Sequence, residues 1–538
     1  MAPSKRHTPR EGRPIAFLVS TTPCGRNIAE HLGSPAYSYH FVTEALAPIL
    51  EEFGVSRPID HPESRLAFAV AKAEAEGFRP VHLAINPLQD VYLSPNVPNV
   101  VFPFWEFPEI PGRDFGFDTR QNWRRMVRGA DLVLTSCAFT AEAFRRAGTS
   151  APVAVVPIPV PPEAFDLPDW KRNHSWTLTC RHEVFGPVTM SVPDEMTETR
   201  PDAPRGRTLA AARAWFQRID PWIAPETVRK IYAFKRGLMS FKGPEPGRRM
   251  VIAARDGYRR HVRRWLSKEA LNRINAAKIR TLALVGREPN AIPDPPLPSS
   301  ELTLGGGLVY LTIFNIGDER KNYRDIITAF LAAFGDRSDA TLVIKLVTNR
   351  IREHDEAKTF REAYQALGVS HRCRIVVITE FLTEQQMNLL FQITTFYVNA
   401  SHAEGACLPL MRALAGGRPA IAPDHTAMAD YIDDTVAFVP RSHPEPIHWP
   451  HDPERRLETS RYRLVWSDLR DAFLASAAAA AHSTEYDERA RASRARMTEY
   501  ASRKAAIEAL GAALEALAER PVLEFNRNSI GVSSHSFQ

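Results

Sequence analysis

The sequence predicts an α/β protein built from two doubly wound parallel sheets, and three observations carry that expectation. Apolar runs of strand length alternate with segments of helical period from residue 15 to about 165, and again from about 305 to 440. Alternation at this spacing implies parallel strands joined by helical crossovers. A chain of 538 residues also exceeds what one hydrophobic core organises, so two such units are expected.

In the first unit, residues 10–165, the run Ile15–Ser20 reads as a buried strand, and Tyr39–Phe53 carries a helical stripe of Phe41, Val42, Ala45, Leu46, Ile49 and Leu50. Val81–Ile85 and Asn99–Phe104 are further strands. A helix around 120–129, the strand Ala130–Thr135, a helix from Thr140 and a strand at Pro152–Val156 complete the unit. Residues 166–300 break the pattern. The stretch 166–206 is polar and without clear period, 226–280 is helix-like and strongly basic, and Ile292–Pro298 is a proline-rich linker. Alternation resumes over 301–450. Its strands are Val309–Phe314, Thr341–Val347, Arg374–Ile378, Thr395–Asn399 and Pro419–Ala422, with helices at Tyr323–Phe334, Asp355–Leu367, Glu384–Gln392 and 408–416. Residues 451–520 are alanine-rich and helical, expected to brace the first unit, and the tail 521–538 is expected to be disordered.

Composition narrows the class. A hydrophobic content of 44% with 24% charged residues is that of a soluble globular chain. No apolar run nears the roughly 18 residues a bilayer crossing needs, and Ile15–Val19 is too short for a signal-peptide core. The expected location is the cytoplasm, with a peripheral contact at the inner membrane face as a further option. Cys24, Cys137, Cys180, Cys373 and Cys407 are scattered and odd in number, which argues against a disulfide framework or a zinc site.

Residues 396–432, FYVNASHAEGACLPLMRALAGGRPAIAPDHTAMADYI, read as strand, Glu-Gly loop, helix, double-glycine exit and strand. Pro409 suits a first helical turn and Gly416-Gly417 a helix end. The loop Glu404–Leu408 then aims free N–H groups and a helix dipole at one point, which is how phosphate is bound. In these residues the chain resembles the retaining GT-B glycosyltransferases of the group 1, family 4-like type, whose donor site carries E-G-x-G-[IL]-x-x-x-E followed by A-x-G-x-P-V-I-A. The resemblance covers about 10–165 and 305–440. It implies two Rossmann-like domains facing across a cleft, with 166–300 as a partly helical basic insertion. It also implies that Glu404 bonds donor-sugar hydroxyls and that the N–H groups around Gly405, Ala406, Cys407 and Leu408 receive phosphate. The family's second glutamate, which holds the ribose, falls at Arg412, and an arginine accepts no hydrogen bond.

A second segment agrees. Phe314–Asn322 follows a strand and opens a helix, and the resemblance assigns its basic pair, Arg320 and Lys321, to the donor diphosphate. An arginine found earlier in this loop in relatives falls near Asn315. No Asp-x-Asp is placed to hold a metal, so the expected enzyme is metal-independent and uses no cofactor beyond a nucleotide-diphosphate sugar as co-substrate. In the first unit Val100–Pro108 ends in a proline-bounded turn where relatives place an active-site polar residue; Glu106 is the candidate for the acceptor hydroxyl. His40 and the loop Gly25–Pro35 are candidates to approach the same cleft.

Each feature also has a plain structural reading. Glu404 suits a helix start for dipole reasons, Arg320-Lys321 an ordinary solvated pair, and His40 and His402 a packed interior. The block 226–280 fits a solvated insertion or a surface for anionic membrane lipids; its aromatics fall at helical spacing and no nucleic-acid motif appears, so nucleic acid is not an expected partner. The expected partners are a nucleotide-sugar donor and a glycan or lipid-linked acceptor, and the expected role is surface polysaccharide or glycoconjugate assembly. Two rivals stand beside this. One is a glucan synthase or phosphorylase on the same fold, though nothing around Lys345 reads as a pyridoxal-bearing lysine. The other is a non-catalytic scaffold of the same fold that binds a partner or membrane through the basic insertion, a reading Arg412 favours.

Overall fold

The structure, a computed structural model, describes residues 13–22, 38–114, 118–186, 298–348, 353–450, 452 and 455–518. The loop Gly25–Pro35, the basic segment 226–280, most of the linker Ile292–Pro298 and the tail lie outside the described residues. The described residues belong to one compact unit.

The first sheet is made by β1 (Ile15–Thr21), β2 (Gly54–Pro58), β3 (Arg79–Ile85), β4 (Asn99–Val101), β5 (Leu132–Thr135) and β6 (Val153–Val155), in the order β2-β1-β3-β4-β5-β6, all parallel. Between them run α1 (Ser38–Leu50), α2 (Pro62–Ala75) and α3 (Ala138–Arg146). The run IAFLVS is buried at every position, as a parallel strand covered on both faces must be. The helix expected at 39–53 is α1, which buries Tyr39, Val42, Leu46, Ile49 and Leu50, whereas Phe41, expected on the stripe, is exposed and Ala45 is half-buried.

Two short strands, β7 (Ser175–Cys180) and β8 (His182–Phe185), follow, and β9 (Ser300–Gly305) pairs antiparallel with β7. Here the structure departs from the patternless reading of 166–206. Strand β7, SWTLTC, does alternate polar and apolar residues, a short period that the patternless reading passed over, while β8 is only four residues long and shows none.

The second sheet contains β10 (Leu308–Phe314), β11 (Ala340–Leu346), β12 (Arg374–Ile378), β13 (Phe396–Val398), β14 (Ala420–Ile421) and β15 (Ala437–Phe438). Its order is β15-β14-β13-β10-β11-β12-β8, parallel except for β8, which runs antiparallel to β12 at the edge. The crossovers include α4 (Tyr323–Phe334), α5 (Glu353–Gln365), α6 (Glu384–Ile393) and α7 (Leu408–Ala415). Strand order reverses between β10 and β13. At such a switch point the loops at the carboxyl ends of two neighbouring strands diverge and leave a crevice for ligand.

After β15 comes β16 (Ser442–His448), paired antiparallel with β17 (Glu458–Leu464). Pro444 and Pro446 are tolerated because an isolated two-stranded ribbon has outward edges that need no donor. The alanine-rich end forms α8 (Trp466–Ala481), α9 (Ser483–Ala501) and α10 (Arg503–Ala518). Leu469 and Phe473 of α8 pack with Tyr310, Phe330 and Phe334 of the second unit. Ala506, Leu510, Ala513 and Leu514 of α10 join the core of the first sheet.

One arginine is fully enclosed where these parts meet. Arg418 donates from Nε to Phe391 O at 3.1 Å, from Nη1 to Gly416 O at 2.7 Å and from Nη2 to Pro168 O at 2.7 Å. It joins the ends of α6 and α7 to the segment leaving the first sheet. Gly417, with φ +68°, provides the left-handed exit from α7 that a side chain would strain.

Among the described residues no helix is long and apolar enough to cross a membrane. Cys137, Cys180, Cys373 and Cys407 are buried and unpaired.

Candidate active site

The two loops that diverge at the β10/β13 switch point carry the charged residues singled out in the sequence. After β10, Asn315 Oδ1 accepts from Gly317 N at 2.9 Å, and Asp318 Oδ1 accepts from Arg320 N at 3.2 Å. Those side-chain caps curl the loop into a single turn, Glu319–Lys321. Asn322 then sits at φ 51°, a left-handed position that asparagine tolerates, and α4 begins. Arg320 and Lys321 are thereby presented side by side, each with a fifth of its side-chain surface accessible.

After β13 the loop is held from several directions. Asn399 Oδ1 accepts from Ser401 N at 2.7 Å, His402 N donates to Arg320 O at 2.8 Å, and Glu404 N donates to Thr426 Oγ1 at 3.0 Å. Tyr431 OH donates to Ala406 O at 2.7 Å, and Ser136 Oγ of the first unit donates to Gly405 O at 2.5 Å. Cys407, at the family's second glycine position, has φ 63° and precedes the first turn of α7. Its thiol, pushed up to about 12 chiefly by burial, stays protonated and accepts from Asn399 Nδ2 at 2.8 Å.

Glu404 is the centre of the arrangement and is 4% exposed. Its Oε1 accepts from Lys321 Nζ at 2.6 Å, Ser401 Oγ at 2.6 Å and Asn399 Nδ2 at 3.4 Å. Its Oε2 lies 3.7 Å from Arg320 Nη1. Arg320 also places Nη1 3.0 Å from Glu106 Oε1, donates to Ala403 O at 2.8 Å, and grips Asp318 through Nη2 at 2.8 Å. Burial is the largest single influence on each of these groups and disfavours charge. The opposite charges and hydrogen bonds outweigh it together, so Glu404 and Asp318 are held below the usual carboxylate range while Arg320 and Lys321 are held more firmly protonated.

Glu106 enters from the other sheet, on the loop after β4. Phe104 N donates to Tyr39 OH at 3.1 Å and Thr140 Oγ1 donates to Trp105 O at 2.5 Å, which fixes the turn on both sides of the ring. Trp105 packs against Trp123 and against Trp449 beyond β16, with ring centroids 4.8 and 5.3 Å apart. The β16–β17 ribbon therefore touches both sheets. Tyr462 N donates to His402 O at 2.9 Å, and Thr459 Oγ1 donates to Glu109 Oε2 at 2.7 Å.

Four predicted residues, Glu404, Arg320, Lys321 and Glu106, thus form one connected group drawn from two sheets. Gly405, Ala406, Cys407 and Leu408 form the adjoining loop and helix start. Other predicted residues are placed elsewhere. Arg412 donates to Glu384 Oε2 at 2.7 Å and Asn388 Oδ1 at 2.8 Å and lies over the Phe391 ring, so it is directed along α6 rather than into the charged group. Asn315 shapes its own loop through Gly317. His40 sits on α1 with its ring edge-on to Phe41. His402 Nδ1 bonds Tyr462 O at 2.8 Å, a structural contact. Sequence reasoning passed over Ser401, Asn399, Thr426 and His425, which position Glu404 or its loop. His425 Nε2 bonds Ser401 O at 2.9 Å and Nδ1 bonds Ser442 Oγ at 2.8 Å. A signal was present in the dense polar spelling N-A-S-H and D-H-T on either side of α7.

No protein-family model matches the chain, and no curated protein sequence matches it. Among solved structures, HepE of Anabaena in complex with UDP and glucose is similar over 94% of this chain and all of its own, at 10% identity and a TM-score of 0.45. Sucrose-phosphate synthase of Thermosynechococcus elongatus is similar over 94% of this chain and 99% of its own, at 12% identity and 0.45. A glycosyltransferase of Rickettsia africae is similar over 94% and 100%, at 9% identity and 0.46. Identities near a tenth and TM-scores below 0.5 make these loose likenesses, and they assign no substrate to this chain.

Proposed function

We propose that this chain is a glycosyltransferase of GT-B type that moves a hexose from a nucleoside diphosphate sugar to a glycan or lipid-linked acceptor. The observation that carries the reading is the convergence of Arg320, Lys321 and Glu404 at the carboxyl ends of β10 and β13, with Glu106 arriving from the other sheet. Lys321 gives one of its three N–H groups to Glu404 and so has donors left for phosphate. Among the described residues Glu404 Oε2 accepts no hydrogen bond within 3.5 Å, which suits it to a sugar hydroxyl.

In this reading bond cleavage at the anomeric carbon transfers negative charge to the departing diphosphate. Lys321 and Arg320, already fixed and four-fifths shielded from water, stabilise that charge as it develops, which lowers the barrier. Glu404 orients the sugar and favours its oxocarbenium-like transition state by proximity of a carboxylate. The acceptor hydroxyl loses its proton to the leaving phosphate on the same face, so configuration is retained and no side-chain nucleophile is used. Neither metal nor cofactor is invoked in these steps, and surface polysaccharide or glycoconjugate assembly is the proposed setting.

A screen of nucleoside diphosphate sugars for release of the nucleotide tests this reading. Release that is lost in Lys321→Ala and Glu404→Ala supports it; release that both variants retain removes the site. A second reading, a non-catalytic scaffold, is favoured by Arg412, which is spoken for by Glu384 and Asn388 and offers no acceptor to a ribose. Titration separates the two, since a scaffold shows no nucleotide binding that Lys321→Ala abolishes.

A further inference from the structure

The charged group contains an imbalance. Two cations, Arg320 and Lys321, face three carboxylates, Asp318, Glu404 and Glu106, so the group carries a formal excess of one negative charge. A diphosphate is drawn poorly to such a place as it stands. The two cations also differ in their remaining capacity. Among the described residues Lys321 Nζ has one partner within hydrogen-bond reach, Glu404. Arg320 directs Nε and Nη2 at Asp318, and Nη1 at both Ala403 O and Glu106. A guanidinium offers five N–H groups; four of Arg320's already face an acceptor. A phosphate oxygen that engages the face of Arg320 turned to the other sheet must replace a partner.

The three partners are not equally replaceable. Asp318 also accepts from Arg320 N and so shapes the turn that carries the guanidinium. Ala403 O is backbone in the loop next to Glu404. Glu106 comes from a different sheet, and its departure leaves the β10 loop intact. With Asp318 tied to its own turn, the departure of Glu106 brings the group to electrical balance while Glu404 remains for the sugar.

We propose that Glu106 is the counter-ion that the donor's diphosphate replaces on Arg320, so that donor binding precedes and enables acceptor binding. This rests on the donor-site reading above. In the donor-free chain the Glu106 carboxylate occupies the anion's place on Arg320. When the diphosphate arrives, the guanidinium exchanges one anion for another, and the released carboxylate becomes an acceptor for a substrate hydroxyl beside the departing phosphate. An acceptor arriving first finds Glu106 engaged. Glu106 thereby acts as a positioning residue that links the two substrates.

The test is isothermal titration of the full chain with inorganic pyrophosphate and, separately, uridine diphosphate. Glu106→Gln removes the competing charge but keeps the shape, and it is expected to bind both about tenfold more tightly than wild type while transferring sugar more slowly. Equal or weaker binding by Glu106→Gln overturns the proposal. Lys321→Ala separates the two levels of failure. If it binds pyrophosphate as wild type does, the donor-site reading fails as well; if it loses binding while Glu106→Gln matches wild type, only the exchange fails. A measurement on wild type covers the case in which Glu106→Gln does not fold. Trp105 adjoins Glu106 and packs on Trp123 and Trp449, so saturating pyrophosphate is expected to change tryptophan emission, and the change is expected to vanish in Trp105→Phe. Unchanged wild-type emission at saturation overturns the exchange.

Discussion

The carboxyl-end edges of the two sheets differ in kind. On the second, Lys321, Arg320, Asp318 and Glu404 form a compact set of charges whose protonation is fixed by mutual attraction. On the first, Glu106 reaches into that set from a loop whose Trp105 packs on Phe107 and on Trp123. Deeper in the first sheet, His82 bonds Ser20 Oγ at 2.9 Å and Asn99 Oδ1 at 3.3 Å, and burial lowers its pKa, so it is neutral. The contrast is one of composition: one edge carries a compact set of opposed charges, the other a frame of packed aromatic rings from which Glu106 reaches across.

The largest expected effect tests whether the aromatic frame is structural. Trp123→Ala removes a ring 2% exposed and is expected to lower stability by about 3–5 kcal/mol in urea unfolding. Pyrophosphate affinity of the folded fraction should stay within twofold; a large loss would erase the division between the edges. Next comes the anion edge. Lys321→Ala is expected to reduce kcat/KM for sugar transfer by about a hundred- to a thousandfold, the usual scale for one preorganised charge at a developing anion. Glu404→Ala should also destabilise, by about 2–4 kcal/mol, because it strands Lys321; the lower part of that range reflects the fifth of the lysine side chain that water still reaches.

The third prediction concerns acid. His425 is lowered to about 4, mainly by burial. The unfolded chain therefore takes up a proton near pH 6.5 that the folded chain refuses until about 4. Stability falls as pH drops through that window, by up to about 3 kcal/mol. His82 acts in the same direction. Glu404, depressed in the folded state, adds a further loss below the ordinary carboxylate range, as pH falls toward its folded value. Unfolding free energies of wild type and His425→Gln between pH 7 and 4 check this; equal slopes would show that His425 is not the source. The smallest effect is at Cys407. Cys407→Gly relieves a left-handed backbone strain of about 1–2 kcal/mol but loses a buried side chain and its bond to Asn399, so the net change should be within about 1 kcal/mol.

Much of this was legible in sequence because the informative features are local. The alternation of apolar runs and helical stripes marks β1, β10, β11, β12, α1 and α4 directly, since burial on both faces demands uninterrupted apolar residues. Glu404, Arg320 and Lys321 were legible because each follows a strand and opens a helix, and the sheet then brings the loops together. What was not legible depends on contacts distant in sequence. Strand β8 is four residues whose only reason to be extended is the edge of β12. The β16–β17 ribbon hides behind two prolines. Arg412 reads as a replacement for a ribose-binding glutamate, but its direction is set by Glu384, Asn388 and Phe391 on another helix. Cys407 gives no hint of positive φ except that it stands where the resembled family has glycine.

The enclosed Arg418 has a consequence at the opposite end of its helix. Helix α7 is only eight residues long, so whatever fixes its tail also fixes the direction in which its first turn points. A forked, planar group can bond carbonyls of three separate segments at once; lysine, with one nitrogen, has no such geometry. Arg418→Lys would keep the charge yet let α7 swivel, and the aim of the Gly405–Leu408 backbone would drift with it. The accuracy of the loop beside Glu404 is in this sense anchored a full helix length away, by a residue that never meets a substrate.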